Sequence, residues 1–596
     1  MHQKIITPGP FTWPLTRPFA WSLARPVLAL VAALFLSHAA VAATEVRTVG
    51  ASGCDFGDLQ AAIDYMSTLP SADEKILRIA YDMQYTNVAL TIDDVSLTLA
   101  GGYASCAASE PTNFESNLFG TGAAPVLSVS ASGAQEIVLE RLRLSQGNGT
   151  QGGGLSVNGP ITVRVRDSDF FSNDAELGGA VALDGGAGLE MENVSMTGNT
   201  ASDRGGAFWC FGGGWVHGLG GNVFEGNLAD SLGGAGFLDG CTGLFEGAHA
   251  FTNNSAISGG ALVASSDLTL RSTSGGRITF TGNRGDLSNS GFRYGGAIYH
   301  FGEGDLTVLD ALFEDNRLGA ASQLGCGGAI TTTNSETRVH IASTSIGCDG
   351  GSCSVFNANR ADRGAAVCVS RASSAEIHRS LFVEQTAYDG LPATSVLDIG
   401  ALDSVPEMLI DGSIFGDNSS STVVLKDKAQ GDLTLAYSTL AQNRNVTAAI
   451  GIPAPEAGVS HGQTLILSSI LWEFPETVLL SSDENVQTEC LLLSETDTVP
   501  LPIHWLDSDP RFRSPSVDDY RIASSSPAID FCPPGSYPAS DRDIDHGRRG
   551  IDHAATPNAG AGRVYDIGAD EHASDSTLLE DGFESGDTSA WSSTVG

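Results

Sequence analysis

Acidic side chains return at matching places along the middle of this chain: Asp174 and Glu176, then Asp203, Asp230, Asp286 and Asp362. Each falls between a Phe-x-x-Asn segment and a Gly-Gly-Ala segment or a close relative of one. If successive copies stack, some of these carboxylates come within several ångströms of one another. Such a cluster raises its members' pKa values or recruits Ca²⁺, a hard cation that takes oxygen ligands. Arg204 and Arg363 directly follow Asp203 and Asp362, placing a basic group where polysaccharide lyase chemistry needs one. Asp203, Arg204, Asp230, Asp362 and Arg363 are therefore the candidate catalytic residues. The competing reading is a solvated row of turn-forming aspartates. The loose register favours it, because the acidic residue stands one, four, three, three and three positions after its Asn.

Other fragments are weaker. Asp541, Asp543 and Asp545 alternate along one stretch and suggest a calcium loop. That stretch lacks the Gly and closing Glu of an EF-hand, so a salt-bridged structural loop competes. Calcium is the one cofactor the sequence raises. Glycoside hydrolysis needs two carboxylates aimed across one bond, and a polygalacturonase-like site would add Gly-His-Gly. The nearest fragment is His217-Gly218-Leu219-Gly220-Gly221, while Asp518-Asp519 falls outside the repeats.

The elements that must position these groups are written in the repeat. Its copies begin at Phe170, Met196, Phe224, Phe251, Phe280, Phe313 and Phe356, with weaker ones at Phe382, Phe415 and Leu440. A period of about 20–50 residues signals a solenoid, propeller or array. Within each repeat, short stretches alternate apolar and polar, as in residues 161–166 (ITVRVR) and 306–309 (LTVL). Period two means strands with one buried face. Several short strands in so short a repeat fit one coil of a right-handed parallel β-helix; propeller blades need about 40 residues or more. The fold class expected is all-β. Each Phe should point inward and stack on the Phe of the next coil. Each Asn should bond to backbone or to the Asn one coil away, and Gly-Gly should turn the chain through positive φ.

The domain organisation follows. Residues 1–43 read as a secretory signal: Lys4, Arg17 and Arg25 precede an apolar run at 27–36, and Ala-Val-Ala at 40–42 suits cleavage. Residues 44–120 are not repetitive and should cap the first coil with a helix and strands. Residues 121–505 carry the repeats, 506–575 a closing cap and 576–596 a polar tail. Loss of residues 1–43 removes three basic residues and no acidic one, taking the net charge from −39 to −42. That excludes nucleic acid and anionic lipid surfaces as partners, since both need Lys/Arg patches. No second apolar span follows, so no integral membrane segment is expected after cleavage, and the chain is expected to be a monomer.

All ten cysteines lie beyond residue 43, which in an exported protein favours disulfides. Spacing suggests Cys54–Cys106, Cys210–Cys241, Cys326–Cys368, Cys348–Cys353 and Cys490–Cys532, although sequence alone leaves the connectivity open.

The FxxN and GGA alternation resembles the passenger repeats of polymorphic outer-membrane proteins and, more broadly, bacterial β-helix surface proteins. The motifs DSDPRF (507–512), DDYRI (518–522), SPAID (526–530) and DIGADE (566–571) look like the choice-of-anchor segment that closes secreted bacterial β-helix proteins. CDFGDLQAAID (54–64) and GGYASC (101–106) are similar to the opening cap of the same group. The resemblance implies a Gram-negative surface or extracellular protein with a C-terminal sorting tail. It departs from the polymorphic outer-membrane proteins in showing no C-terminal run of barrel-forming strands. The function expected is adhesion or surface interaction with a glycan or surface protein, without catalysis. A polysaccharide lyase or hydrolase acting on acidic glycans and a structural spacer are the alternatives.

Overall fold

Residues 43–71, 73–285, 293–319, 326–344, 353–387, 393–400, 407–427, 430–454, 460–475, 477–482, 484–533, 542–553 and 564–572 are described by a computed structural model. Residues Met1–Ala43 and Thr44–Gly596 form separate units; all described residues except Ala43 belong to the second. That unit is a parallel β-helix. Among the described residues its strands lie in parallel sheets of 28, 14 and 7 strands, with one antiparallel pair, Phe512–Ser514 with Asp519–Ile522, outside them.

One coil shows why the sequence winds this way. Ile161–Phe171 alternates buried Val163 and Val165 with half-exposed Arg164 and Arg166. A bend at Asp167, which takes φ 47°, splits the strand into two columns of the large sheet. The chain turns again at Ser172, runs through Asp174–Leu177, and passes Gly178-Gly179 into Val181–Asp184 of the 14-stranded sheet. The following coil repeats this path. There Gly205 takes φ +66°, and a Cβ on Gly206 would lie 2.2 Å from the Gly234 carbonyl oxygen. One glycine supplies the left-handed bend, and the other lets two backbones approach.

The repeat residues align in register. Leu144, Phe170, Met196, Phe224, Phe251, Phe280, Phe313, Phe356, Phe382, Phe415, Leu440 and Leu471 are successive partners in one buried column. From Phe224–Phe251 to Phe382–Phe415 the rings stack near-parallel, with centroids 4.5–4.9 Å apart. This is the spacing of neighbouring strands, so the backbone ladder sets the ring stack. Each buried ring contributes about 1.5–3 kcal/mol by leaving water.

Beside the rings runs an amide ladder. Asn227 Nδ2 donates to Asn254 Oδ1 (3.0 Å) and to the Met196 carbonyl (2.8 Å), and its backbone N–H also donates to Asn254 Oδ1 (3.0 Å). The same unit recurs at Asn173, Asn199, Asn254, Asn283 and Asn316. Gln385 substitutes for one Asn, accepting from the Asn359 N–H. The ladder closes on Glu473, whose two carboxylate oxygens accept from the N–H and Nδ2 of Asn443, each at 2.8 Å. Burial pushes Glu473 up to about 7, against the pull of those bonds. Every buried side-chain amide in the run thus finds a partner in an adjacent coil, which offsets the cost of burying it.

At the N-terminal end the helix Leu59–Ser67, capped by Asp58 Oδ1 on the Ala61 N–H, turns Leu59, Ala62, Ile63 and Met66 inward. It packs against Thr44–Val49, Glu74–Ala80 and Leu90–Asp93. The closing motifs lie along the outside of the last coils. Tyr520, Ile544 and Ala569 pack on Ile414 and Ala441, while Ile522, Ile529 and Ile567 pack on Ile470 and Leu492. Arg549, buried, donates from Nη2 to the Ala569 carbonyl (2.8 Å) and from Nη1 to the Gly568 carbonyl (3.1 Å), with its guanidinium over the Tyr437 ring.

Candidate functional site

The acidic positions singled out by sequence do not meet as one row. The Ser231 N–H donates to the Asp203 carbonyl, and the Asp230 N–H donates to the Ala201 carbonyl. Asp203 is therefore level with Ser231 of the next coil, one step out of register with Asp230. Arg204 pairs with Asp203 (3.3 Å) and Asp239 (3.9 Å), and its guanidinium lies 5.3 Å from the Phe237 ring centroid. Arg363 pairs with buried Asp398 (3.1 Å) and with Asp427 (3.0 Å). Burial pushes Asp398 up to about 6 even with Arg363 beside it. The Asp362 carbonyl accepts from the Thr394 N–H, and Asp286 falls outside the described residues. Both arginines thus serve the wall of the coil: each precedes the Gly-Gly (or Gly-Ala) turn and folds back over the 14-stranded sheet.

The calcium candidates are likewise occupied by the protein. Asp543 accepts from the N–H groups of Asp545, Gly547 and Glu571, while Asp545 makes two bonds to the Arg521 guanidinium at 2.6 and 2.8 Å. Asp541 lies outside the described residues. Asp519 pairs with Arg521 (3.0 Å). The coils do bring a carboxylate beside His217, because Glu190 is its register partner. Four disulfides join Cys54–Cys106, Cys210–Cys241, Cys326–Cys368 and Cys490–Cys532. Cys353 is also disulfide-bonded, and Cys348 lies outside the described residues.

A different set of side chains converges at the corner between the two columns of the large sheet. Arg141, Asp167 and Asn193 occupy this corner in three successive coils, with φ of 50°, 47° and 54°. Arg141 Nη2 lies 3.1 Å from Asp167 Oδ2, and Asn193 Nδ2 donates to Asp167 Oδ1 (3.2 Å). Two residues further on, Arg143 and Asp169 are register partners. The chain between Tyr103 and Ser116 returns alongside, tethered by the Cys54–Cys106 disulfide and by the Ser116 N–H on the Arg141 carbonyl (3.0 Å). Between this return and the corner opens a cleft of about 510 Å³, lined by Asn113, Phe114, Glu115, Arg141 and Asp167.

The electrostatics of the cleft centre on Glu115. Burial first, then the negative Asp169 and a hydrogen bond shared with it, push Glu115 up to about 8, against the pull of Arg143. Glu115 therefore takes up a proton more readily than a free carboxylate does. Phe114 is 69% exposed, with its ring edge-on to Tyr81 at 5.7 Å. Phe171, 40% exposed, lies under the Arg143 guanidinium at 4.8 Å. The cleft thus offers an apolar plate, a carboxyl shifted towards its neutral form, a carboxylate and a guanidinium group at one corner. A flat sugar face and its hydroxyls need such a mixture. A glycosidase pair keeps its carboxyl groups about 5 Å apart or more, whereas Glu115 and Asp169 are hydrogen-bonded to each other.

A second aromatic strip lies outside the 14-stranded sheet. Trp209, Phe237, Val263 and Tyr299 are successive register partners there. Exposed Phe211 stacks on Trp209 at 5.6 Å, and Tyr294 stacks on Tyr299 at 4.9 Å. Sequence reasoning missed the corner because Glu115 stands outside the repeats. A signal was present: Arg141, Asp167 and Asn193, like Arg143 and Asp169, are spaced by 26 residues, one coil. Compared with known protein families, characterised proteins and solved structures, the chain finds no match.

Proposed function

We propose that the protein is an exported, surface-associated or extracellular β-helix that holds a glycan in the corner cleft without cutting it. The observation that carries this reading is the exposed Phe114 ring beside Glu115 and the Arg141–Asp167 pair in a cleft of about 510 Å³. The hydrogen bond between Glu115 and Asp169 supports binding over hydrolysis, which needs two carboxyl groups set apart across one bond. The net charge of −39 favours a neutral or amino-sugar glycan over a uronic acid polymer. The apolar stretch before residue 43 and the oxidised cysteines support export. The repeat and closing motifs support a place beside the polymorphic outer-membrane passenger repeats and choice-of-anchor proteins, with a right-handed coil and residues 576–596 as the attachment tail.

The test is a binding screen of tag-free protein against neutral, amino-sugar and uronic-acid glycans. Each glycan is also assayed for new reducing ends and for the ultraviolet absorbance of an unsaturated uronide. Saturable binding to a neutral or amino-sugar glycan with no new ends is expected. New ends or absorbance would replace binding with hydrolysis or lysis, and silence across the panel would leave a structural spacer.

A further inference from the structure

On the outer face of the large sheet, three successive coils bring two histidines and two carboxylates together. They come from the strands Arg338–Ala342, Ser374–His378 and Glu407–Asp411. In this register His340 is the partner of Glu376, and His378 the partner of Asp411. Val339, Ile341, Ala375, Ile377, Met408 and Ile410 turn inward, so the alternation of the strands fixes the four polar side chains outward. His340 Nδ1 lies 3.5 Å and His378 Nε2 lies 3.4 Å from the same atom, Glu376 Oε2. One ligand atom from each of the three residues falls within 4.8 Å of the others.

These distances are long for N–H···O bonds, which run about 2.7–3.2 Å. They match the edges of a tetrahedron around zinc: ligands about 2.0–2.1 Å from the metal stand about 3.3 Å apart. The other side of His378 is also provided for. Its Nδ1 lies 3.4 Å from Asp411 Oδ2. Asp411 is buried, and its Oδ1 has no hydrogen-bond partner among the described residues. A carboxylate behind a histidine, fixing its tautomer and strengthening its free nitrogen, is the usual support of a metal-ligating imidazole. Arg379, next to His378 in the chain, sends its guanidinium to the Ser343 carbonyl, with Nη2 at 2.9 Å.

We propose that His340, Glu376 and His378 form a three-ligand transition-metal site, taking zinc through two imidazole nitrogens and one carboxylate, with Asp411 as the positioning residue for His378. Three protein ligands leave a fourth position open to water or to a donor group on a partner. The site is independent of the corner cleft and of the aspartate loops considered for calcium.

Tag-free, chelator-stripped protein titrated with zinc chloride by calorimetry tests the assignment, with cobalt(II) as a visible-spectrum probe of coordination. One saturable equivalent of zinc is expected, with an intense tetrahedral-type cobalt spectrum. His378→Ala and His340→Ala should each weaken zinc binding by at least about 100-fold, and Asp411→Asn by about 10- to 100-fold. His340 and Glu376 are partly exposed, so His340→Ala and Glu376→Gln should melt with the wild-type protein and keep the comparison interpretable if the buried Asp411 variant misfolds. Absence of saturable zinc binding, or binding unchanged in His340→Ala and His378→Ala, would overturn the proposal.

Discussion

Two regions of this molecule hold carboxyl groups well above their ordinary range, and they do opposite things with them. At the N-terminal corner, Glu115, pushed up to about 8 by burial and Asp169, lines an open cleft beside an exposed phenylalanine. Along the flank of the last coils, burial pushes Asp570 and Glu571 up to about 7 and raises Asp566. There the oxygens are taken: Glu571 Oε1 accepts from the Gly550 and Ile551 N–H groups, and Asp570 Oδ2 from the Ile522 N–H. A raised carboxyl therefore marks burial, and burial alone does not make a site. An opening leaves the same chemistry accessible from outside, whereas donors from the chain itself turn it into a clamp.

The largest effect should come from breaking the clamp. Arg549→Met removes the buried cation that bonds the Gly568 and Ala569 carbonyls and lies 4.0 Å from Glu571. Stripping a buried charge cluster of its partner costs about 3–5 kcal/mol. Limited proteolysis and thermal melting should show the segment after Phe512 released at a lower temperature. The matching change at the cleft, Arg141→Met, breaks a pair whose side chains are 32% and 43% exposed, and should cost less than about 1 kcal/mol.

The pH response sharpens the contrast. A carboxyl whose folded pKa is raised binds its proton more tightly in the folded state. Its stabilisation is full below the unfolded value of about 4 and is lost as pH rises through the folded value. For Glu473, Asp570 and Glu571 that window runs up to about 7. The melting temperature should therefore fall between about pH 5 and pH 8, and Asp570→Asn should make the fall shallower. The smallest stability effect belongs to Glu115→Gln, within about 1 kcal/mol of wild type, because burial already favours the neutral carboxyl that the amide imitates.

The coil was legible because its unit of sequence is its unit of structure. Phe224, Phe251 and Phe280 recur at one-coil intervals, so in-register stacking follows once the strands are parallel, and Asn227, Asn254 and Asn283 satisfy one another for the same reason. Gly205 could be foreseen because only glycine takes its bend cheaply. The acidic positions were already loosely spaced in the sequence, and the coils preserve that looseness: the register holds from Ala201–Ala229 to Arg204–Leu232, so Asp203, four residues after its Asn, falls one step from Asp230, three after its own. The corner cleft was hidden because Glu115 comes from a non-repeating return of the chain and meets Asp169 only after the coils between them have stacked. The lateral packing of Tyr520 and Ile567 was hidden too, because their motifs state that a segment closes without stating which surface it covers.

The central proposal is that the exposed Phe114 ring and the raised Glu115 carboxyl at the corner are where a glycan is held. The most direct check is the affinity of the best glycan from the screen for wild type and two truncations of exposed apolar side chains. One is Phe114→Ala in the cleft, and the other is Leu219→Ala, 45% exposed and outside it. At least a tenfold loss with Phe114→Ala and none with Leu219→Ala is the predicted result. Equal affinities for all three proteins would place the ligand elsewhere and contradict the account.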